Sequence, residues 1–248
     1  MCNSGRCRHT YGKGWNIALI PANHTLQCGS RYDIDTRPLW YYKLFPVHTR
    51  RQIPRGPLYY AALCGFYDLV EHLIIKYPPY VNADGGFYLR PVVAALAGDH
   101  FQTADLLHHN GADLHVRGLF GITPLHSAAH FGDLEVIQKL IEYDADINPK
   151  DEKGWTPLHL ASIGRHFKDG SILRLLLKHG ADINAWSKYG WTPLHWASHN
   201  GALEVVRLLL EHGADIEAKR THGKTAMQEV AEGGHKEVVK LLQKHGAK

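Results

Sequence analysis

The chain has 248 residues, 44% of them hydrophobic and 21% charged, with 28 Lys or Arg against 24 Asp or Glu. No apolar run approaches the roughly 18 to 20 residues of a bilayer span, and the run from Trp15 to Ile20 is too short for a secretory signal. Cys2, Cys7, Cys28 and Cys64 lack the density of a disulfide scaffold. Reduced thiols and a cytoplasmic or nuclear protein are therefore expected, with no membrane association.

Residues 1–30 are rich in Gly, Asn, Ser and Arg without sustained periodicity, and read as a poorly ordered leader. Residues 31–53 hold Leu39, Trp40, Leu44 and Phe45, with Pro38 before them and Pro46 after. That is enough apolar surface for a helical turn or two that docks on the segment after residue 53, so residues 31–53 are expected to act as an N-terminal cap. The first 55 residues carry nine Lys or Arg against Asp33 and Asp35, a net of +7, which leaves −3 for the rest of a chain whose total is +4. Basic residues interleaved with Tyr11, Trp15 and Trp40 suit a single nucleic-acid strand. A cap that packs its aromatics and shows its charge to water gives the same pattern, and no nucleic-acid module is recognisable. Nucleic acid is not the expected partner.

From residue 54 onward the sequence repeats itself. Thr-Pro-Leu-His stands at 123–126, 156–159 and 192–195, with degenerate copies at 56–59, 90–93 and 225–228, so successive copies start 33 to 36 residues apart. The copy beginning at Thr192 shows why the unit folds. Thr192 can cap a helix that starts at Pro193, whose missing N–H has no intrahelical partner to lose. Asn200-Gly201 ends that helix, with Leu194 and Ala197 facing inward. A second helix comes next, with Leu203, Val206 and Leu210 at helical spacing and Val205 and Leu209 beside them. Gly213 stops it, and His212, like His179 and His245, falls near its end, where charge complements the helix dipole.

A unit of about 33 residues cannot bury such a stripe alone, so the copies must stack. A period of this length with Thr-Pro-Leu-His-x-Ala as signature resembles the ankyrin repeat, over residues 54–248. The fold that the resemblance implies is all-α: a solenoid of about six stacked helix-turn-helix repeats at about 54–83, 84–117, 118–150, 151–186, 187–219 and 220–248. It further implies projecting turns, or fingers, that line a concave face with the first helices, and a tetrad histidine that bonds locally to hold its turn. The passage Pro57 to Ile74 also resembles the first ankyrin repeat of large fungal proteins in which a nucleotide-binding NACHT domain precedes the array. No phosphate-binding Gly-x-x-x-x-Gly-Lys-Ser/Thr loop occurs here, so that activity does not carry over.

Individual copies depart from the pattern in informative ways. The first has Gly-Pro-Leu-Tyr and ends its second helix at Tyr77-Pro78-Pro79, and with no preceding repeat it is expected to expose Tyr59, Tyr60, Phe66 and Tyr67. The third places Asp144 where Gly ordinarily stands. The fourth carries three extra residues within Ile163 to Gly170, a loop expected at the rim of the binding side. The sixth has a strongly charged second helix suited to a terminal repeat.

Nineteen histidines invite a metal reading, and His126 with His130, like His195 with His199, are spaced to share one helix face. Neither pair has the Glu of His-Glu-x-x-His or further local ligands, so no metal and no cofactor is expected. No nucleophile elbow or catalytic-cysteine signature is present, and an enzyme is not expected either. The function that the resemblance implies is binding of a protein partner by a monomeric array serving as adaptor, scaffold or recognition module. The alternative is the sensor end of a longer NACHT-type NTPase. Aligning the copies assigns Trp155, Trp186, Tyr189, Trp191, Trp196, His199 and Asn200 to finger and first-helix positions on the variable face. Lys188, Arg165 and Lys168 are expected to form a basic rim that speeds encounter with the partner.

Overall fold

The computed structural model describes residues 56–84, 89–163 and 170–247. The leader and cap expected over residues 1–53, and most of the loop that carries Arg165 and Lys168, lie outside them. The described residues form twelve α-helices in six pairs and no β-strand. The pairs are α1 (Pro57–Leu63) with α2 (Tyr67–Lys76), α3 (Pro91–Ala97) with α4 (Phe101–His109), and α5 (Pro124–Phe131) with α6 (Leu134–Glu142). They continue with α7 (Pro157–Ile163) and α8 (Ser171–Lys178), α9 (Pro193–His199) and α10 (Leu203–Glu211), and α11 (Ala226–Gly233) and α12 (Lys236–Lys244). None is long and apolar enough to cross a membrane.

First helices start where the sequence says. Thr123 and Thr192 each accept from the backbone N–H of the tetrad histidine, and that histidine's ring reaches back to the threonine N–H, which closes a capping box. Repeat six makes the same box with Gln228, whose Oε1 accepts from the Thr225 N–H at 3.0 Å. From the second repeat on, second helices end on a left-handed residue. At Gly213 φ is 87°, and at Asp144 it is 60°, so the third copy takes the same turn at the cost of a Cβ in a region that L-residues avoid.

The apolar stripes meet in one continuous core that runs through all six pairs. First helices pack on first helices, α5 on α7, α7 on α9 and α9 on α11, while α8 packs on α6 and α10. Repeats two and three are also tied across their second helices: Tyr143 Oη donates to Asp105 Oδ1 at 2.6 Å, Lys139 Nζ lies 3.1 Å from the same oxygen, and the His108 and Tyr143 rings stack at 4.2 Å. Burial and the Asp105 carboxylate together push the Tyr143 phenol well above its ordinary range.

In α10 Val205, Val206, Leu208 and Leu209 are buried, and Leu203 and Leu210 are half-buried and packed against the core, which is the wide apolar stripe expected. Of the first-repeat aromatics that the cap was expected to cover, Tyr59 is 2% exposed, whereas Phe66 and Tyr67 are exposed. It occupies the tetrad-histidine register, and His126, His159 and His195 are all fully buried there. His212 and His245 lie one residue past their helices, and each donates Nδ1–H to the carbonyl four residues back, Leu208 at 2.8 Å and Leu241 at 2.9 Å. Their role at the helix end thus needs no charge.

Candidate functional site

The fingers form a ribbon of their own. Each closes on itself, Asp151 N–H to the Trp155 carbonyl at 2.9 Å and Ser187 N–H to the Trp191 carbonyl at 2.9 Å, and each donates to the finger before it, Glu152 N–H to Phe120 O at 2.8 Å and Lys188 N–H to Lys153 O at 2.9 Å. Close approach fixes the residue at the bend: Gly190 has φ 73°, and a Cβ there would lie 2.6 Å from the Thr221 nitrogen.

Buried histidines lock this ribbon to the first helices. His126 Nδ1 accepts from the Thr123 N–H at 3.1 Å, which leaves the ring proton on Nε2, and Nε2 donates to the Trp155 carbonyl at 2.9 Å. His159 reaches the Trp191 carbonyl at 3.0 Å and His195 the Lys224 carbonyl at 3.1 Å in the same way. The tetrad histidine therefore holds its own turn and also the next repeat's finger, which the sequence did not show. With both nitrogens engaged, neither His126 nor His195 is free to bind a metal. Burial lowers the pKa of all three, that of His159 to about 4, so the rings are neutral near pH 7.

A second set of cross-repeat bonds comes from the asparagine that ends Ala-Asp-Ile-Asn. Asn148 donates to the Gly180 carbonyl at 2.9 Å and accepts from the Asp182 N–H at 2.8 Å, and Asn184 accepts from the Asp215 N–H at 2.9 Å. Register across copies was the signal that could have found it.

On this frame the structure brings four of the ten residues expected to bind into contact: Trp155, Trp191, Trp196 and His199. Trp191 and Trp196 stack at 4.3 Å, and Trp155 meets Trp196 edge-on at 5.2 Å. His199 stands 5.6 Å from Trp191, and Lys153 Nζ lies 5.3 Å from the Trp155 centroid. Trp155, Trp191 and Trp196 are half-buried in one another, yet none belongs to the hydrophobic core. Trp186 at 43% and Tyr189 at 61% are exposed, as are Lys188 and His199. Asn200 is turned away, its Nδ2 donating to the Trp196 carbonyl at 3.0 Å. Arg165 and Lys168 lie outside the described residues.

Two members of the cluster went unrecognised in the sequence. Arg220 places its guanidinium carbon 4.9 Å from the Trp191 centroid and its Nε 2.5 Å from Glu229 Oε1. Glu229 is 2% exposed, and its other oxygen lies 3.8 Å from His199 Nδ1. A carboxylate at the position that holds Trp196 one repeat earlier was the available clue. The arrangement is an aromatic surface whose one buried negative charge is matched by a stacked arginine. Among the described residues no three His, Cys, Asp or Glu side chains gather as a metal site.

Helix pairs at this period, capped by Thr-Pro-Leu-His and joined through a ribbon of fingers, decide the family together with a family model of three ankyrin repeats that matches residues 92–185 and 166–220, just over half the chain. The chain belongs to the ankyrin repeat family. Its array is similar to ankyrin repeat and SOCS box protein 5 of Mus musculus, 32% identical over 107 residues, 43% of this chain and 32% of that protein. Ankyrin repeat and SAM domain-containing protein 6 of Mus musculus is 40% identical over 110 residues, 44% of this chain and 12% of that protein. Protein phosphatase 1 regulatory subunit 27 of Homo sapiens is 51% identical over 41 residues, 16% of this chain and 27% of that protein. The ankyrin array thus spans less than a third of each relative. Ankyrin repeats generally mediate protein–protein interaction, and their proteins are typically non-enzymatic modules.

Proposed function

We infer that this chain is a recognition or scaffolding module, cytoplasmic or nuclear, whose finger and first-helix side binds a partner protein around Trp186, Tyr189, Trp196 and His199. The observation that carries the reading is exposure of Trp186 and Tyr189 on a finger held rigidly at both ends. Large aromatic side chains lose little conformational freedom on docking, and they dominate the energetics of protein interfaces. The contacts among Trp155, Trp191 and Trp196 preorganise further apolar surface on the first-helix side. Association then needs little reordering of this side. The alternative, the sensor end of a longer NACHT-type NTPase, rests on the likeness of Pro57 to Ile74 alone.

Affinity capture from the source cell with the intact chain and with Trp186→Ala/Tyr189→Ala tests the reading. Partners bound by the first and lost by the second support it. Equal recovery on both would move the interface to another face.

A further inference from the structure

Charge on this molecule is sorted by layer. From α1 through α9 the first helices contain no Lys, Arg, Asp or Glu, whereas every second helix carries at least one such residue. The fingers differ. Those at 115–122 and 186–191 contain a cation and no carboxylate; at 149–155 the Asp151 carboxylate is committed to the Lys153 and Trp155 backbone amides, each at 2.8 Å, and the exposed Glu152 stands between two lysines, Lys150 and Lys153. Lys153, Lys188 and Lys219 are exposed, and none pairs with a carboxylate among the described residues. The Lys188 N–H to Lys153 O bond makes two of these fingers immediate neighbours, and Tyr189 and Trp186 stand in the same row.

We propose that the finger row of the site inferred above receives an acidic, extended peptide segment of the partner, with carboxylates set against Lys153, Lys188 and Lys219 and apolar residues against Trp186 and Tyr189. This rests on that reading and specifies it. Unpaired lysines on a preorganised ribbon present a positive field that a complementary acidic chain neutralises, and wrong-charged partners are rejected by the same groups. A peptide fits better than a single nucleic-acid strand. Stacking of successive bases needs a run of open aromatic faces; here Trp191 is covered by Trp196 on stacking and by Arg220, and Lys153 stands over Trp155, which leaves Trp186 and Tyr189 as the exposed rings of the site.

Selection from a phage-displayed library of random peptides on the full chain tests this, with fluorescence anisotropy of the best synthetic peptide as the second step. The proposal expects selected sequences enriched in Asp and Glu, and binding that weakens at least about tenfold in Lys153→Glu/Lys188→Glu/Lys219→Glu and with added salt. Neutral or basic winners that bind the charge-reversed variant equally, yet are lost in Trp186→Ala/Tyr189→Ala, would overturn the acidic partner and leave the interface reading standing. Winners indifferent to both variants, or no winners, would overturn both. An oligouridine strand that binds more tightly than the best peptide would assign the lysines to nucleic acid.

Discussion

Arg220 lies over the Trp191 ring, its guanidinium carbon 4.9 Å from the ring centroid, while its Nε meets the buried Glu229 carboxylate. One side chain from the last finger thus closes the aromatic surface and neutralises the charge beneath it. Arg220→Ala leaves Glu229 buried without a counter-ion and is expected to destabilise by about 3 kcal/mol, whereas Arg220→Met/Glu229→Leu, which removes both charges, should lie within about 1 kcal/mol of wild type. Urea midpoints of Arg220→Ala and of the double variant measure this. If Arg220→Ala is as stable as the double variant, the pair does not control local stability.

The tetrad histidines predict a pH dependence with a definite sign. Burial depresses the folded-state pKa of His159 from 6.5 to about 4, so between those values the unfolded chain binds more protons than the native one. Its contribution is complete above pH 6.5 and is lost as pH falls from there through about 4. The loss for this ring is on the order of 3 kcal/mol, and His126 and His195 shift in the same direction. His159→Gln keeps an acceptor for the Thr156 N–H, as Gln228 does for Thr225, and removes the titration. Unfolding free energy plotted from pH 7.5 to 5 should therefore be shallower for His159→Gln, and parallel plots would refute the assignment.

Gly201 and Gly213 share a positive φ, 68° and 87°, but not a neighbourhood. A Cβ on Gly213 meets nothing within 4 Å, so Gly213→Ala is expected to cost about 1 kcal/mol from backbone strain alone. A Cβ on Gly201 would lie 2.3 Å from His235 Nδ1, and the other nitrogen of that ring donates to the His199 carbonyl at 3.1 Å. Gly201→Ala must displace the ring as well, and should cost about 1 kcal/mol more than Gly213→Ala. Chemical denaturation of the two variants decides; equal costs would mean that His235 moves aside freely.

The aromatic residues should separate by role. Trp186→Ala/Tyr189→Ala removes exposed side chains and should leave stability within about 0.5 kcal/mol of wild type. Trp196→Ala opens the stack on Trp191 and the edge contact with Trp155, and is expected to cost about 2 kcal/mol. Thermal and urea unfolding check both. A Trp196→Ala variant as stable as wild type would place that ring with the free surface residues.

The repeat, its helix starts and its helix ends were legible in the sequence because each is a local matter. Thr192 caps, Pro193 starts and Gly213 stops within a few residues of one another, and the chemistry of each is complete in its own copy. Candidate finger positions were legible too, since register carries Trp155 onto Trp191. What the sequence alone did not decide is everything made between copies. The tetrad histidine reads as a local cap until the next finger's carbonyl is brought to its Nε2, and Asn148 reads as a loop residue until Gly180 and Asp182 are placed against it. Asn200, chosen by register, turns back onto its own helix, while Arg220 and Glu229 come together only through packing of the last finger on the last pair. Stacking sets these distances, and stacking depends on how stripes some 33 residues apart interlock. A periodic sequence therefore fixes the unit, whereas the tertiary structure fixes which face each unit offers and which charges on that face remain unpaired.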